Sequence, residues 1–151
     1  PGASMPFTYK IDTSLGLIFY SGFDTNASEI LQAETAASAN PLRLPSMKII
    51  IDLSKAKLDV SLADIREGIK MNKKRMEKGD VLEPTAIVSH SRFIKVLGET
   101  FRLLSEGLPI HFSIFSTLSD AIRWLGLSDN EAEILEMQKE IMDNLKKNAV
   151  I

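Results

Sequence analysis

The chain contains no cysteine. That excludes disulfides, thiolate nucleophiles and cysteine metal sites, and it suits a reducing compartment. No apolar run approaches the roughly 18–20 residues of a membrane span. No basic start leads into an apolar stretch of the signal-peptide kind. A cytoplasmic location is therefore expected. Charge of one sign is lacking too: 18 Lys and Arg stand against 20 Asp and Glu, a formal net charge of −2. Nothing in that balance favours nucleic acid, and no interleaved aromatic platform suits single strands. The common catalytic signatures are missing as well: there is no Walker A loop, no GxGxxG after a strand and no GxSxG elbow. The only histidines, His90 and His111, lie apart without HExxH-type spacing, so neither a metal nor a cofactor is expected.

What is present is ordinary for a globular domain: 44% hydrophobic and 25% charged residues in 151. A domain of this size buries roughly 68–70% of its unfolded surface, enough for a core without staples. Pro1-Gly2-Ala3-Ser4 ahead of Met5 reads as a cloning remnant. The expected division is a domain over 5–127 and a terminal helix over 128–151.

Strand formers at Phe7–Ile11 and Leu17–Tyr20 flank turn residues Asp12-Thr13-Ser14 and Gly16, a hairpin pattern. Asn26 and Glu29 have capping-box spacing, and a helix through Ala37 stops before Asn40-Pro41. Ile49-Ile50-Ile51 suggests a strand buried on both faces. Ser61 and Asp64 form a second capping box for a helix from Leu62 to about Lys78, with Gly79 as its stop. A strand at Thr85–Ser89 precedes a helix marked by Phe93, Val96, Leu97, Phe101 and Leu104. Ile110–Phe115 reads as the last strand, Thr117–Leu125 as a short helix, and Ser128–Asn148 as a long one. Leu31, Phe93, Leu97, Phe101, Leu104 and Trp124 are the expected core. The order implies an α/β fold: a mostly parallel sheet of four or five strands, opened by a hairpin and flanked by helices.

The stretch Ile49-Ile50-Ile51-Asp52-Leu53-Ser54, with its loop and the helix capped at Ser61, resembles the centre of a STAS domain. STAS is the family of the sporulation anti-sigma-factor antagonist SpoIIAA. The hairpin from Tyr9-Lys10-Ile11-Asp12 to Leu15-Gly16-Leu17, the entry Glu106-Gly107-Leu108-Pro109-Ile110 and the segment Leu118-Ser119-Asp120-Ala121-Ile122-Arg123-Trp124-Leu125-Gly126 are similar to the broader SpoIIAA-like group. That group is related in turn to the CRAL-TRIO lipid-exchange fold. The resemblance covers about Phe7 to Leu127 and implies a regulatory domain, usually without catalysis. In phosphorylated antagonists a serine in an Asp-Ser-Ser-Gly turn is the switch. Here the stretch reads Val60-Ser61-Leu62-Ala63, so Leu62 stands at that serine's position. Ser61 alone remains as a candidate phosphosite, with N-capping as its structural alternative.

A ligand cleft is expected where Asp52 and Ser54 end one strand and Ser89-His90-Ser91-Arg92 ends the next. There His90 is a candidate acid or base and Arg92 suits an anion. The alternatives are that Asp52 bonds loop amides and that a serine caps the following helix. Arg66, Lys70, Lys73, Lys74 and Lys78 form a basic helix face, solvated or able to dock an acidic protein, anionic lipid or nucleic acid. The stripe Ile134, Met137, Ile141 and Leu145 must meet the domain's own sheet or helices, or a second copy in a homodimer. The leading expectation is a non-enzymatic STAS-like regulatory module that binds a protein. The rivals are a carrier of a small apolar or anionic ligand and an enzyme pairing His90 with Asp52.

Overall fold

In the first turn, the Asp12 carboxylate accepts hydrogen bonds from Ser14 Oγ at 2.6 Å and Leu15 N at 3.0 Å. The Ser14 hydroxyl holds the Asp12 carboxyl below its ordinary range, against the opposing effect of partial burial. Gly16, at φ 61°, completes a reversal that most side chains would strain. In the computed structural model, which describes residues 7–79, 83–108 and 111–149, this turn joins β1 (Phe7–Asp12) to β2 (Leu17–Gly22) as the expected hairpin. The expected remnant Pro1–Ser4, the expected start at Met5, and Pro109-Ile110 lie outside the described residues.

Onward from the hairpin run β3 (Thr25–Asn26), α1 (Ala27–Ala39), β4 (Lys48–Asp52), β5 (Leu58–Asp59), α2 (Leu62–Glu77) and β6 (Thr85–Val88). They are followed by α3 (Arg92–Leu104), β7 (Phe112–Phe115), α4 (Leu118–Trp124), a 3-10 turn (Ser128–Asn130) and α5 (Glu131–Ala149). The main sheet has the order β1-β2-β4-β6-β7, antiparallel at the first pair and parallel thereafter. β3 and β5 form a separate two-stranded ribbon.

Alternation along the strands divides the core in two. Leu17, Phe19, Ile50, Ala86 and Val88 face α4 and α5. Ile18, Tyr20, Ile49 and Leu53 join Ala33 and Ala37 of α1 and Ile94 of α3 on the other side. The stripe Ile134, Met137, Ile141 and Leu145 is buried against the first of these layers. It therefore sits on the chain's own sheet, one of the two covers open to it from the sequence.

Three expected core residues are corrected. Leu31 is 44% exposed, and Phe93 and Leu104 also lie largely in solvent. Trp124 is partly buried against the α4–α5 layer, and His111 meets its ring edge-on with centroids 4.8 Å apart.

A chain of charges ties one helical layer together. Tyr20 donates its hydroxyl to Glu34, and Arg43 bridges Glu34 at 2.9 Å to the buried Glu83 at 2.8 Å. Arg75 also reaches Glu83, at 3.3 Å. Burial, reinforced by Glu34, pushes the Tyr20 phenol far above its ordinary value. A group with a raised folded pKa keeps its full stabilisation below the unfolded value and loses it as pH rises, because the unfolded chain ionises first. Tyr20→Phe should thus remove the part of alkaline destabilisation that begins above pH ~10. Thermal melts of both proteins between neutral and alkaline pH check this; parallel pH profiles would contradict it.

Candidate functional site

Five residues were expected to share a cleft at the strand ends, and the fold does bring the ends of β4 and β6 together. Asp52, however, has 0% exposure. Its Oδ1 accepts from Ser54 N at 3.0 Å and Ser54 Oγ at 2.6 Å; its Oδ2 accepts from Gln138 Nε2 at 2.7 Å and Ser21 Oγ at 3.3 Å. The carboxylate is a latch joining β2, β4 and α5, with its lone pairs occupied. Ser54 serves that latch. Ser89 is buried and its Oγ accepts from Ser91 N at 3.0 Å, while Ser91 caps α3 by accepting from Ile94 N. His90 and Arg92 are exposed. Among the described residues no direct hydrogen bond joins His90 to Asp52, whose carboxylate bonds Ser21, Ser54 and Gln138 instead.

Ser61 Oγ accepts from Asp64 N at 3.2 Å, and Asp64 Oδ2 accepts from Ser61 N at 2.9 Å. This is the reciprocal capping box read from the spacing. Ser61→Ala should cost about 1 kcal/mol of stability, as cap losses do. Chemical denaturation measures it, and a change near zero would show that the cap contributes nothing.

Two surface depressions are lined by none of Asp52, Ser54, Ser89, His90 and Arg92. The larger, of about 600 Å³, lies between the β3–β5 ribbon and the start of α3. Ala56, Leu58, Phe93 and Ile94 give it an apolar wall, and Asp24, Glu29 and Asp59 outnumber Lys57 there. Thr25 lines it too, and its buried hydroxyl has no hydrogen-bond partner among the described residues. A two-residue ribbon has no periodicity to read, so this groove had no sequence signal. The smaller depression, of about 350 Å³, runs along α2 past Ala63, Arg66, Ile69, Lys70 and Lys73. Among the described residues no cluster of three or more His, Asp or Glu is placed to hold a metal.

The most unusual surface belongs to α3. Phe93 is 52% exposed, Val96 63%, Leu103 73% and Leu104 44%, with only Ile94 of the helix fully buried. On its other flank the helix faces β7: Gly98 lies against Ile114, the Arg102 guanidinium stands 4.7 Å from the Phe112 ring centre, and Lys95 reaches Ser116. Helical rotation of about 100° per residue then turns Phe93, Leu97 and Leu104 away from β7. The neighbour on that side is α2, which packs alongside.

No family model and no curated protein matches the chain. Among solved structures, it is similar to the crystal structure of an uncharacterized protein of the DUF3478 family with a SpoIIAA-like fold from Shewanella loihica PV-4. The TM-score is 0.53 at 16% identity, over 79% of this chain and 93% of that one. The chain therefore has a SpoIIAA-like α/β fold, with a mixed five-stranded sheet and five α-helices among the described residues. Among the described residues no helix is long and apolar enough to cross a membrane.

Proposed function

We propose that this chain is a non-enzymatic, STAS-like regulatory module that binds another protein, in the cytoplasm, through the outer face of α3. The exposed stripe Phe93, Val96, Leu103 and Leu104 carries this reading. A helix facing water normally turns polar residues outward, and a contiguous apolar patch on a soluble domain marks an interaction surface. The fully partnered state of Asp52 and the exposure of His90 support the non-enzymatic part. The test is quantitative affinity capture with the wild-type chain and the double variant Val96→Glu/Leu103→Glu. Both positions are exposed, so the variant should fold and melt like the wild type. A protein retained at near-physiological salt by the wild type and lost from the variant is expected. Identical retention by both proteins would sink the reading.

A second reading, carriage of a small ligand, draws on the groove beside Thr25 rather than on the strand-end cleft. Its buried hydroxyl without a partner is the kind of group a ligand would satisfy. Native mass spectrometry of the chain tests it: an added mass that disappears on denaturation supports carriage, and a bare polypeptide mass counts against it.

A further inference from the structure

We infer that the segment docking on this domain is an acidic amphipathic helix, seated along the groove between α2 and α3. This rests on the protein-binding reading above. α3 contributes an apolar wall through Phe93, Leu97 and Leu104. α2 contributes a basic wall, with Arg66, Lys70 and Lys73 lining its depression above Ile69. Arg66, Lys70 and Lys73 stand against a single acid, Glu67, around that depression, on a chain whose formal net charge is −2. The depression is thus opposite in sign to the chain as a whole, which selects a negatively charged occupant.

Shape narrows the choice further. From Phe93 to Leu104 the apolar edge extends about 17 Å at ~1.5 Å per residue, matching about three turns of a partner helix. A helix laid in a groove presents apolar anchors at i, i+3, i+4 and i+7 on one side and keeps its charges on the flank. Its carboxylates can therefore meet Lys70 and Lys73 while avoiding Glu67, which lines the same depression. A uniformly anionic membrane surface could not make that distinction, and it would also meet Glu99 on the exposed side of α3.

The probe is a fluorescently labelled synthetic helix of about four turns, with leucines at i, i+3, i+4 and i+7 and glutamates on its flanks, followed by fluorescence anisotropy. A scrambled peptide of the same composition and a lysine-for-glutamate peptide are the controls. The amphipathic acidic peptide should bind about tenfold more tightly than the scrambled one, and added salt should weaken it. Lys70→Glu/Lys73→Glu should lower its affinity about tenfold and restore binding to the lysine-bearing peptide. Phe93→Glu and Leu104→Glu, with unchanged melting temperatures, should abolish the preference. Equal binding of the scrambled peptide, or indifference to Lys70→Glu/Lys73→Glu, would overturn the inference. So would binding to phosphatidylserine vesicles without peptide binding, which would assign the groove to a membrane. Self-association removed by Phe93→Glu would assign it to a second copy and overturn the inference equally. If affinity capture finds a Val96-dependent partner whose docking segment is neutral or basic, the protein-binding reading stands and this inference alone falls.

Discussion

Ile134→Ala should destabilise the domain by about 3 kcal/mol, within the range for removing a large aliphatic side chain from a packed core. Its neighbour in sequence, Leu135→Ala, should change stability by no more than about 0.5 kcal/mol. The contrast follows from burial: Ile134 has 0% exposure and Leu135 has 41%. Ile134 is enclosed with Phe19, Ile50 and Val88 beneath α5. Trimming it leaves a void those residues close only in part. For a domain of about 150 residues, 3 kcal/mol corresponds to a fall in Tm of roughly 6–12 °C. Thermal and urea melts at several protein concentrations measure both variants. Similar small effects at the two positions would mean that α5 does not dock as described. A concentration-dependent Tm lost in Ile134→Ala would mean that it docks on a second copy instead.

Asp52→Ala should cost at least as much, about 3–5 kcal/mol, through a different mechanism. The carboxylate takes hydrogen bonds from Ser54 N, Ser54 Oγ, Ser21 Oγ and Gln138 Nε2 in an enclosed site. Alanine removes the acceptor and leaves several buried donors at once without partners, each costing about 1–3 kcal/mol where no water replaces the carboxylate. Asp52→Asn should cost less, about 1–2 kcal/mol, because its amide keeps one acceptor oxygen but turns an NH2 toward groups that are themselves donors. Gln138→Ala should be the mildest, since Ser21 and Ser54 still hold the carboxylate. That ranking is measured by chemical denaturation. An Asp52→Ala variant as stable as the wild type would show that the residue is free for another role.

The elements that could be read from sequence are those whose cause is local. The Asn26/Glu29 and Ser61/Asp64 boxes needed only a spacing of three, and both form reciprocally. The hairpin needed only Asp12, Ser14 and Gly16 between two runs of strand formers. What covers an apolar stripe is not local. The stripe of α5 had two covers open to it, the domain's own sheet or helices and a second copy, and the sheet encloses it, whereas Phe93 and Leu104 of α3 were assigned to the core and face solvent. Periodicity reports that a stripe exists, not which side of a sheet remains uncovered. β7, the strand beside α3, is a four-residue edge strand, and it offers that helix little surface to pack on. Asp52 shows the same limit at the level of a single group. Its position at a strand end was readable; its partner Gln138, 86 residues further along, was not. The Thr25 groove depends on a ribbon of two-residue strands, too short for any pattern.

The most direct measurement is site-specific photo-cross-linking in native lysate, with the photoreactive residue placed at Val96 of α3 and, as a control, at Leu135 of α5. Both side chains are exposed and apolar, so reactivity and folding are matched. If the outer face of α3 is the docking surface, a discrete cross-linked protein forms from position 96 and not from position 135, and unlabelled wild-type chain competes it away. Equal, diffuse labelling from both positions, or a discrete product only from position 135, would contradict the account.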